Sequence, residues 1–175
     1  HALLHHRLLP RYLAQQRREV WAEVLPVPAS DRRAGVMGLG VLGAPVARSL
    51  AELGFATAGW SRRAAAIDGV ATFHGGDGLA AFLARTDILV CLLPLTAATA
   101  NILDARLFAA LPRGAVVINC ARGDHLVEAD LLAAGEQIVR VPPKLMAHAR
   151  DAARTYGKSD PIDALAVARA ALREP

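Results

Sequence analysis

Residues 35–43 read GVMGLGVLG, and within them Gly38-Leu39-Gly40-Val41-Leu42-Gly43 has the form G-x-G-x-x-G. Glycines fall at such spacings by chance, so the flanks decide. AGVM (34–37), before the loop, is a short apolar run suited to a strand. After the loop, the spacing predicts a helix over 41–53, closed by Gly54. Strand, glycine loop and helix in that order are the context a dinucleotide-phosphate cradle requires. Gly38 permits the tight turn, Gly40 lets the backbone approach a pyrophosphate, and Gly43 lets the helix pack closely on the sheet. The helix start then offers unpaired N–H groups and a positive dipole end to the phosphates. The plainer alternative is a turn that serves only the fold.

Outward from the loop the pattern alternates. FATAGW (55–60) reads as a second strand, GVATF (69–73) as a weaker third, and GLAAFLAR (78–85) as a helix. DILVCLLP (87–94) predicts a buried strand ended by Pro94, DARLFAALP (104–112) a helix stopped by Pro112, and GAVVINCA (114–121) another buried strand. EADLLAA (128–134) starts one more helix. Near-continuous apolar strands separated by helices mark a parallel sheet covered on both faces. The expected class is α/β: a Rossmann-type doubly wound parallel sheet, incomplete, with a helical C-terminal tail.

In such a sheet the end of the second strand sets the nucleotide preference. A carboxylate there, roughly 20 residues past the loop, accepts from a ribose 2′-OH. This chain has Ser61-Arg62-Arg63 instead. Two guanidiniums and a hydroxyl suit a 2′-phosphate, and no acid repels it. NADP is therefore expected over NAD, against the alternative of a solvated arginine pair.

The totals set limits. A chain of 175 residues holds one domain with a real core but not two large ones. With 54% hydrophobic and 21% charged residues, a globular chain is expected. No apolar run is long enough for a transmembrane helix. The first residue is His1 and no leader pattern follows, so a cytoplasmic protein is expected, its start the cut edge of a longer chain. A net charge of +4 suits nucleic acid or a phosphate-bearing cofactor, and equally an arginine-rich chain with neither. Cys91 and Cys120 lie in apolar runs and are expected to be two buried thiols. Residues 2–24 predict a helix with a break or kink at Pro10, followed by a linker, LPVPASDRR (25–33). The histidines of HALLHH have no Cys or acid at ligand spacing and are expected on the surface.

Longer pieces carry a resemblance. GVMGLGVLGAPVARSLAELGF, WSR, FLARTDILVCLLPLTAATANIL and LPRGAVVINCARGDHLVEADLLAA, with RYLAQQ and Trp21 before them, stand in a familiar order. From His1 to about Ala134 the chain resembles the D-isomer-specific 2-hydroxyacid dehydrogenases, in particular their glyoxylate/hydroxypyruvate reductase branch. The resemblance implies hydride transfer from NADPH to a small 2-oxo acid and is compatible with a homodimer. It implies that Gly38, Gly40 and Gly43, with Val41 and Leu42 between them, hold the pyrophosphate, and that Ser61, Arg62 and Arg63 hold the 2′-phosphate. Leu93, Pro94 and Thr99 would line the cofactor's path, with Cys120 and Ala121 near the nicotinamide. Arg122 would be the catalytic arginine, and its planar fork suits a 2-oxo acid's carboxylate and carbonyl. In that family a Glu–His pair beyond the arginine supplies the proton, and neither of its characteristic runs occurs in these 175 residues. His125 and His148 are not assigned to that role. The expected product is a cofactor-binding fragment, inactive alone.

Residues 135–175 read differently. QIVRV (137–141) has the composition of a strand, and 144–156 that of an amphipathic helix, with a second helix starting near Pro161. VRVPPKLMAHARDAARTYGKSDPIDALAVARAAL resembles DEDD-type insertion-sequence transposases. That resemblance implies metal-binding roles for Asp160 and Asp163, though no metal is expected in use, because the other two acids of the set have no counterpart here. Asp160 before Pro161 is equally a helix cap. The expected organisation is a hinge helix and linker remnant over 1–30, a Rossmann domain over 31–134, and a transposase-like tail over 135–175. The alternatives are a DNA-processing fragment or a folded fusion with no activity.

Overall fold

A computed structural model of the chain describes residues 2–136, 138 and 139. Ala2–Ala134 form one compact unit, and the described residues from Gly135 on belong to another. Of QIVRV only Ile138 and Val139 are described, and neither lies in a strand. Asp160, Asp163 and the predicted tail helices lie outside the described residues.

The first unit is built on five parallel strands: β1 (Arg33–Met37), β2 (Ala56–Ser61), β3 (Ala71–His74), β4 (Ile88–Cys91) and β5 (Val116–Asn119). Their order in the sheet is β3-β2-β1-β4-β5. The chain works outward from β1 to β3, then crosses back to β4 on the other side of β1. This is the doubly wound Rossmann arrangement, with its switch point between β1 and β4. The helices are α1 (Ala2–His6), α2 (Leu9–Arg17), α3 (Gly43–Glu52), α4 (Gly75–Ala84), α5 (Ala105–Ala110) and α6 (Glu128–Ala133).

The period-2 alternation of a strand divides the core in two. Ala34 and Val36 of β1 and Ile88 and Val90 of β4 pack with Ala47 and Leu50 of α3. Met37, Leu89 and Cys91 pack with Ala58 and Trp60 of β2, Phe82 and Leu83 of α4, and Leu107 of α5. Each face of the sheet is thus sealed by the apolar stripe of a helix. Gly54, at φ +88°, ends α3 as a left-handed cap. Its N–H donates to Ala51 O (2.9 Å) and that of Phe55 to Leu50 O (3.1 Å), while Leu50 and Phe55 meet in the core.

Several expectations are corrected. The helix over 2–24 is two short ones, interrupted at Arg7–Leu8, where Leu8 takes a left-handed φ of 57°. Pro10 is not the break: it sits in the first turn of α2, where its missing N–H removes no bond. Helix ends at Arg17, and Glu19 (φ 53°) turns the chain into an irregular strap, tied back by Tyr12 Oη donating to Val24 O at 2.6 Å. Helix α3 starts at Gly43 rather than Val41, because residues 38–42 are used by the loop. Strand β5 is only half-buried, since it has no further neighbour among the described residues. Cys91 is buried but Cys120, one residue past that edge strand, is exposed. His6 is not a surface histidine: it is buried against Phe55 with ring centroids 4.9 Å apart. Burial, then the Arg32 and Arg7 charges, lowers its pKa. Among the described residues no helix is long and apolar enough to cross a membrane, and no group of three or more His, Cys, Asp or Glu could hold a metal.

Candidate functional site

The register sets the ends of the strands side by side. Met37 pairs with Trp60 and with Cys91, and Cys91 with Asn119. The segments 38–43, 61–63, 92–99 and 120–122 therefore all leave the carboxyl edge of the sheet, flanking the switch point where doubly wound sheets bind their ligands.

The glycine loop has two kinds of glycine. Gly38, at φ +105°, donates its N–H to Trp60 O at 2.8 Å, and a Cβ there would stand 2.9 Å from the Leu92 backbone. A Cβ on Gly43 would run into Gly38 O. The fold itself excludes side chains at both positions. Gly40 is different: a Cβ there would meet nothing within 4 Å. Its bareness serves no internal packing and leaves backbone open beside exposed Val41 and Leu42, as a closely approaching phosphate needs. The loop therefore fits a dinucleotide's pyrophosphate.

At the end of β2 the Ser61 hydroxyl donates to Arg63 O at 2.7 Å, closing a small turn. Arg62 and Arg63 are exposed, and neither has a carboxylate partner among the described residues. After β4, Leu93 turns into the core, whereas Pro94 is exposed. Thr99 Oγ1 donates to Pro94 O (2.6 Å) and accepts from Thr96 N (2.9 Å), so this hydroxyl shapes its own loop.

After β5, Cys120 and Arg122 are exposed and Ala121 packs on the core. The Arg122 backbone is held by side chains that the sequence did not single out. Asn119 Nδ2 donates to Arg122 O at 2.8 Å, and Arg122 N–H donates to His125 Nδ1 at 3.2 Å. Residues 124–127 are stitched to 101–103 by Asn101 N to Asp124 O (2.9 Å), Leu103 N to His125 O (2.8 Å) and Val127 N to Leu103 O (3.1 Å).

Strand order, loop and open edge define a dinucleotide-binding Rossmann domain. The family model for D-isomer specific 2-hydroxyacid dehydrogenase, NAD binding domain, matches residues 1–138, and the chain belongs to that family. Glyoxylate/hydroxypyruvate reductase A of Yersinia enterocolitica is 45% identical over 132 residues, 75% of this chain and 42% of that protein. Among solved structures, a D-isomer specific 2-hydroxyacid dehydrogenase from Xanthobacter autotrophicus Py2, in complex with NADPH and MES, is 47% identical with a TM-score of 0.74. It covers 76% of this chain and 42% of that one. An NADPH-dependent glyoxylate/hydroxypyruvate reductase from Sinorhizobium meliloti, in complex with NADP and sulfate, is 46% identical with a TM-score of 0.72, covering 76% and 43%. The chain thus spans less than half the length of each of these three relatives.

Proposed function

We propose that this chain binds NADPH as the cofactor-binding part of a glyoxylate/hydroxypyruvate reductase-type 2-hydroxyacid dehydrogenase. The observation that carries the reading is the open bare backbone at Gly40, on the same sheet edge as the exposed Arg62 and Arg63. When bound, the cofactor supplies hydride to a small 2-oxo acid. Gly38, Gly40 and Gly43 hold the loop against the pyrophosphate, and the Gly43 N–H at the start of α3 donates to it, since the Ala44 N–H is taken by Gly40 O and Pro45 has none. Arg62 and Arg63, on the turn fixed by Ser61, neutralise the 2′-phosphate. Pro94 and the Thr99-shaped loop border the cofactor's path, with Leu93 supporting them from the core. Cys120 and Ala121 flank the nicotinamide end, and Arg122 offers its fork to the substrate carboxylate and polarises the carbonyl.

No Glu–His run follows Arg122 in these 175 residues, so binding without efficient turnover is expected from this chain. A missing general acid costs typically about 10²–10⁴-fold in rate. The test is NADPH titration followed on Trp60 fluorescence in a Trp21→Phe background. Trp60 is the reporter because its carbonyl accepts from Gly38 and its indole N–H donates to Gly75 O at 2.8 Å. Saturation by NADPH, weaker for NADH, is expected. The absence of any saturable change up to millimolar cofactor would sink the reading.

The reading carries a cytoplasmic location with it, where an exposed thiol such as Cys120 stays reduced. It also extends to a homodimer through the N-terminal strap. Trp21 is 98% exposed and Leu25 82%, on the same strap as Pro26 and Val27, which with Leu3 and Phe55 help line a hollow of about 410 Å³. A knob and a hollow on one chain are self-complementary across a two-fold axis. Sedimentation of the wild type as a monomer at every concentration would rule it out. For residues 135–175 the transposase-like fragment remains our reading of the sequence; Mg²⁺-dependent DNA nicking that is lost in Asp160→Ala would reveal activity there.

A further inference from the structure

We propose that His125 is a positioning residue for Arg122, acting through a bare Nδ1 with its proton on Nε2. The proposal rests on the reading of Arg122 as the substrate-binding arginine. The His125 ring is 0% exposed and touches no solvent from which a substrate could arrive. Its Nδ1 lies 3.2 Å from Arg122 N and 3.1 Å from Arg122 O. The carbonyl is already supplied, by Asn119 Nδ2 at 2.8 Å and by His125's own backbone N–H at 3.2 Å, which fills its two lone pairs. Among the described residues the Arg122 N–H has no acceptor but the ring. Nδ1 therefore accepts, and the proton sits on Nε2.

Nε2 is buried with no partner among the described residues. An orphaned buried donor is a costly thing to keep, and it calls for a reason. The reason is the other nitrogen: a rigid, buried acceptor holding the peptide N–H of Arg122 from below. Asn119 holds the carbonyl from the strand side, and the bonds between 124–127 and 101–103 lock the ring's own backbone. Arg122 thus carries an exposed guanidinium, its Nη1 donating to Ala121 O at 3.2 Å, on a peptide fixed at both ends. That limits where the fork can reach without filling the space it reaches into.

The test separates the two ring nitrogens. In His125→Asn the amide oxygen stands where Nδ1 stood; in His125→Gln it stands nearer Nε2. Each variant, saturated with NADPH, is titrated with oxalate as a two-carboxylate probe by isothermal calorimetry, with the Arg122 Nε–H resonance as a second readout wherever Arg122 is kept. Asn is expected to keep affinity within about twofold of the wild type. Gln should lose about tenfold, the weight of one ordinary hydrogen bond, with NADPH affinity unchanged in both. Equal behaviour of Asn and Gln overturns the positioning role. Arg122→Ala binding oxalate as the wild type does overturns the arginine reading instead, and a wild type with no saturable response overturns both. Should the variants not fold, the ring ¹⁵N spectrum of the wild type decides: a protonated Nδ1 overturns the proposal.

Discussion

The two ends of the candidate site are made in opposite ways. At β1 the backbone is shaped by what is missing: Gly38 and Gly43 stand where any Cβ would strike backbone, and Gly40 stands bare beneath open space. At β5 it is shaped by what is present, since Asn119 and His125 bond the Arg122 peptide from either side. A loop of bare backbone presents N–H groups to a ligand that lies against it. A stitched turn presents one long side chain to a ligand some way off. The difference suits a diphosphate at the first and a small carboxylate at the second.

The largest effect is expected where the first design is most constrained. Gly43→Ala places a Cβ on Gly38 O, at a separation no real contact allows, and neither partner is a flexible side chain. The start of α3 must lift from the loop. Chemical denaturation should show a loss of more than about 3 kcal/mol, beyond the usual cost of an overpacked site. A loss under about 1 kcal/mol would mean that the loop yields, and the contrast between the two ends would weaken.

The opposite edge of the sheet supplies a control. Asp87, at the entrance to β4, accepts from Arg33 N (3.0 Å), Nε (3.0 Å) and Nη2 (2.6 Å). Burial would raise its pKa, but these hydrogen bonds and the Arg33 and Arg32 charges outweigh that and hold it below the ordinary value. Its folded pKa lies below the unfolded one. The stability it contributes is therefore complete above the unfolded carboxylate value, about pH 4, and disappears as pH falls through the folded value. The Arg33 side chain is 41% exposed and solvent-screened, so Asp87→Asn should cost only about 1 kcal/mol. It should flatten the acid side of the stability profile and leave NADPH affinity alone. A fall in affinity would mean that the two edges of the sheet are coupled.

The same contrast explains what the sequence discloses. A glycine at fixed spacing leaves its mark in the sequence, so the loop, the five strands and the cofactor edge are legible from GVMGLGVLG outward. Val116–Asn119 reads as a buried strand because apolar content does not say whether a neighbour lies on the far side; here none does among the described residues. The clamp on Arg122 is illegible for a related reason. Asn119 and His125 act by distance and angle to backbone atoms, and no spacing rule marks a histidine as an acceptor rather than a solvated surface group. His6 hides in the same way, its burial depending on Phe55, far along the chain. The N-terminal helix fails at Leu8 and Glu19, whose left-handed backbone no apolar periodicity reports.

The smallest effect on the fold is the most informative about the site. At Gly40 a Cβ would meet nothing within 4 Å, and the residue's φ lies outside the left-handed range that favours glycine. Gly40→Ala therefore asks nothing of the folded chain, and its stability should stay within about 0.5 kcal/mol of the wild type. A phosphate lying against the backbone would collide with the new methyl group. NADPH affinity should fall at least tenfold, about 1.4 kcal/mol, while the midpoint of unfolding without cofactor does not move. Gly43→Ala would then lose binding by losing structure, and Gly40→Ala by losing only the open surface. If Gly40→Ala binds NADPH as tightly as the wild type, the loop is a turn that serves the fold alone, and the distinction between its two kinds of glycine has no functional meaning.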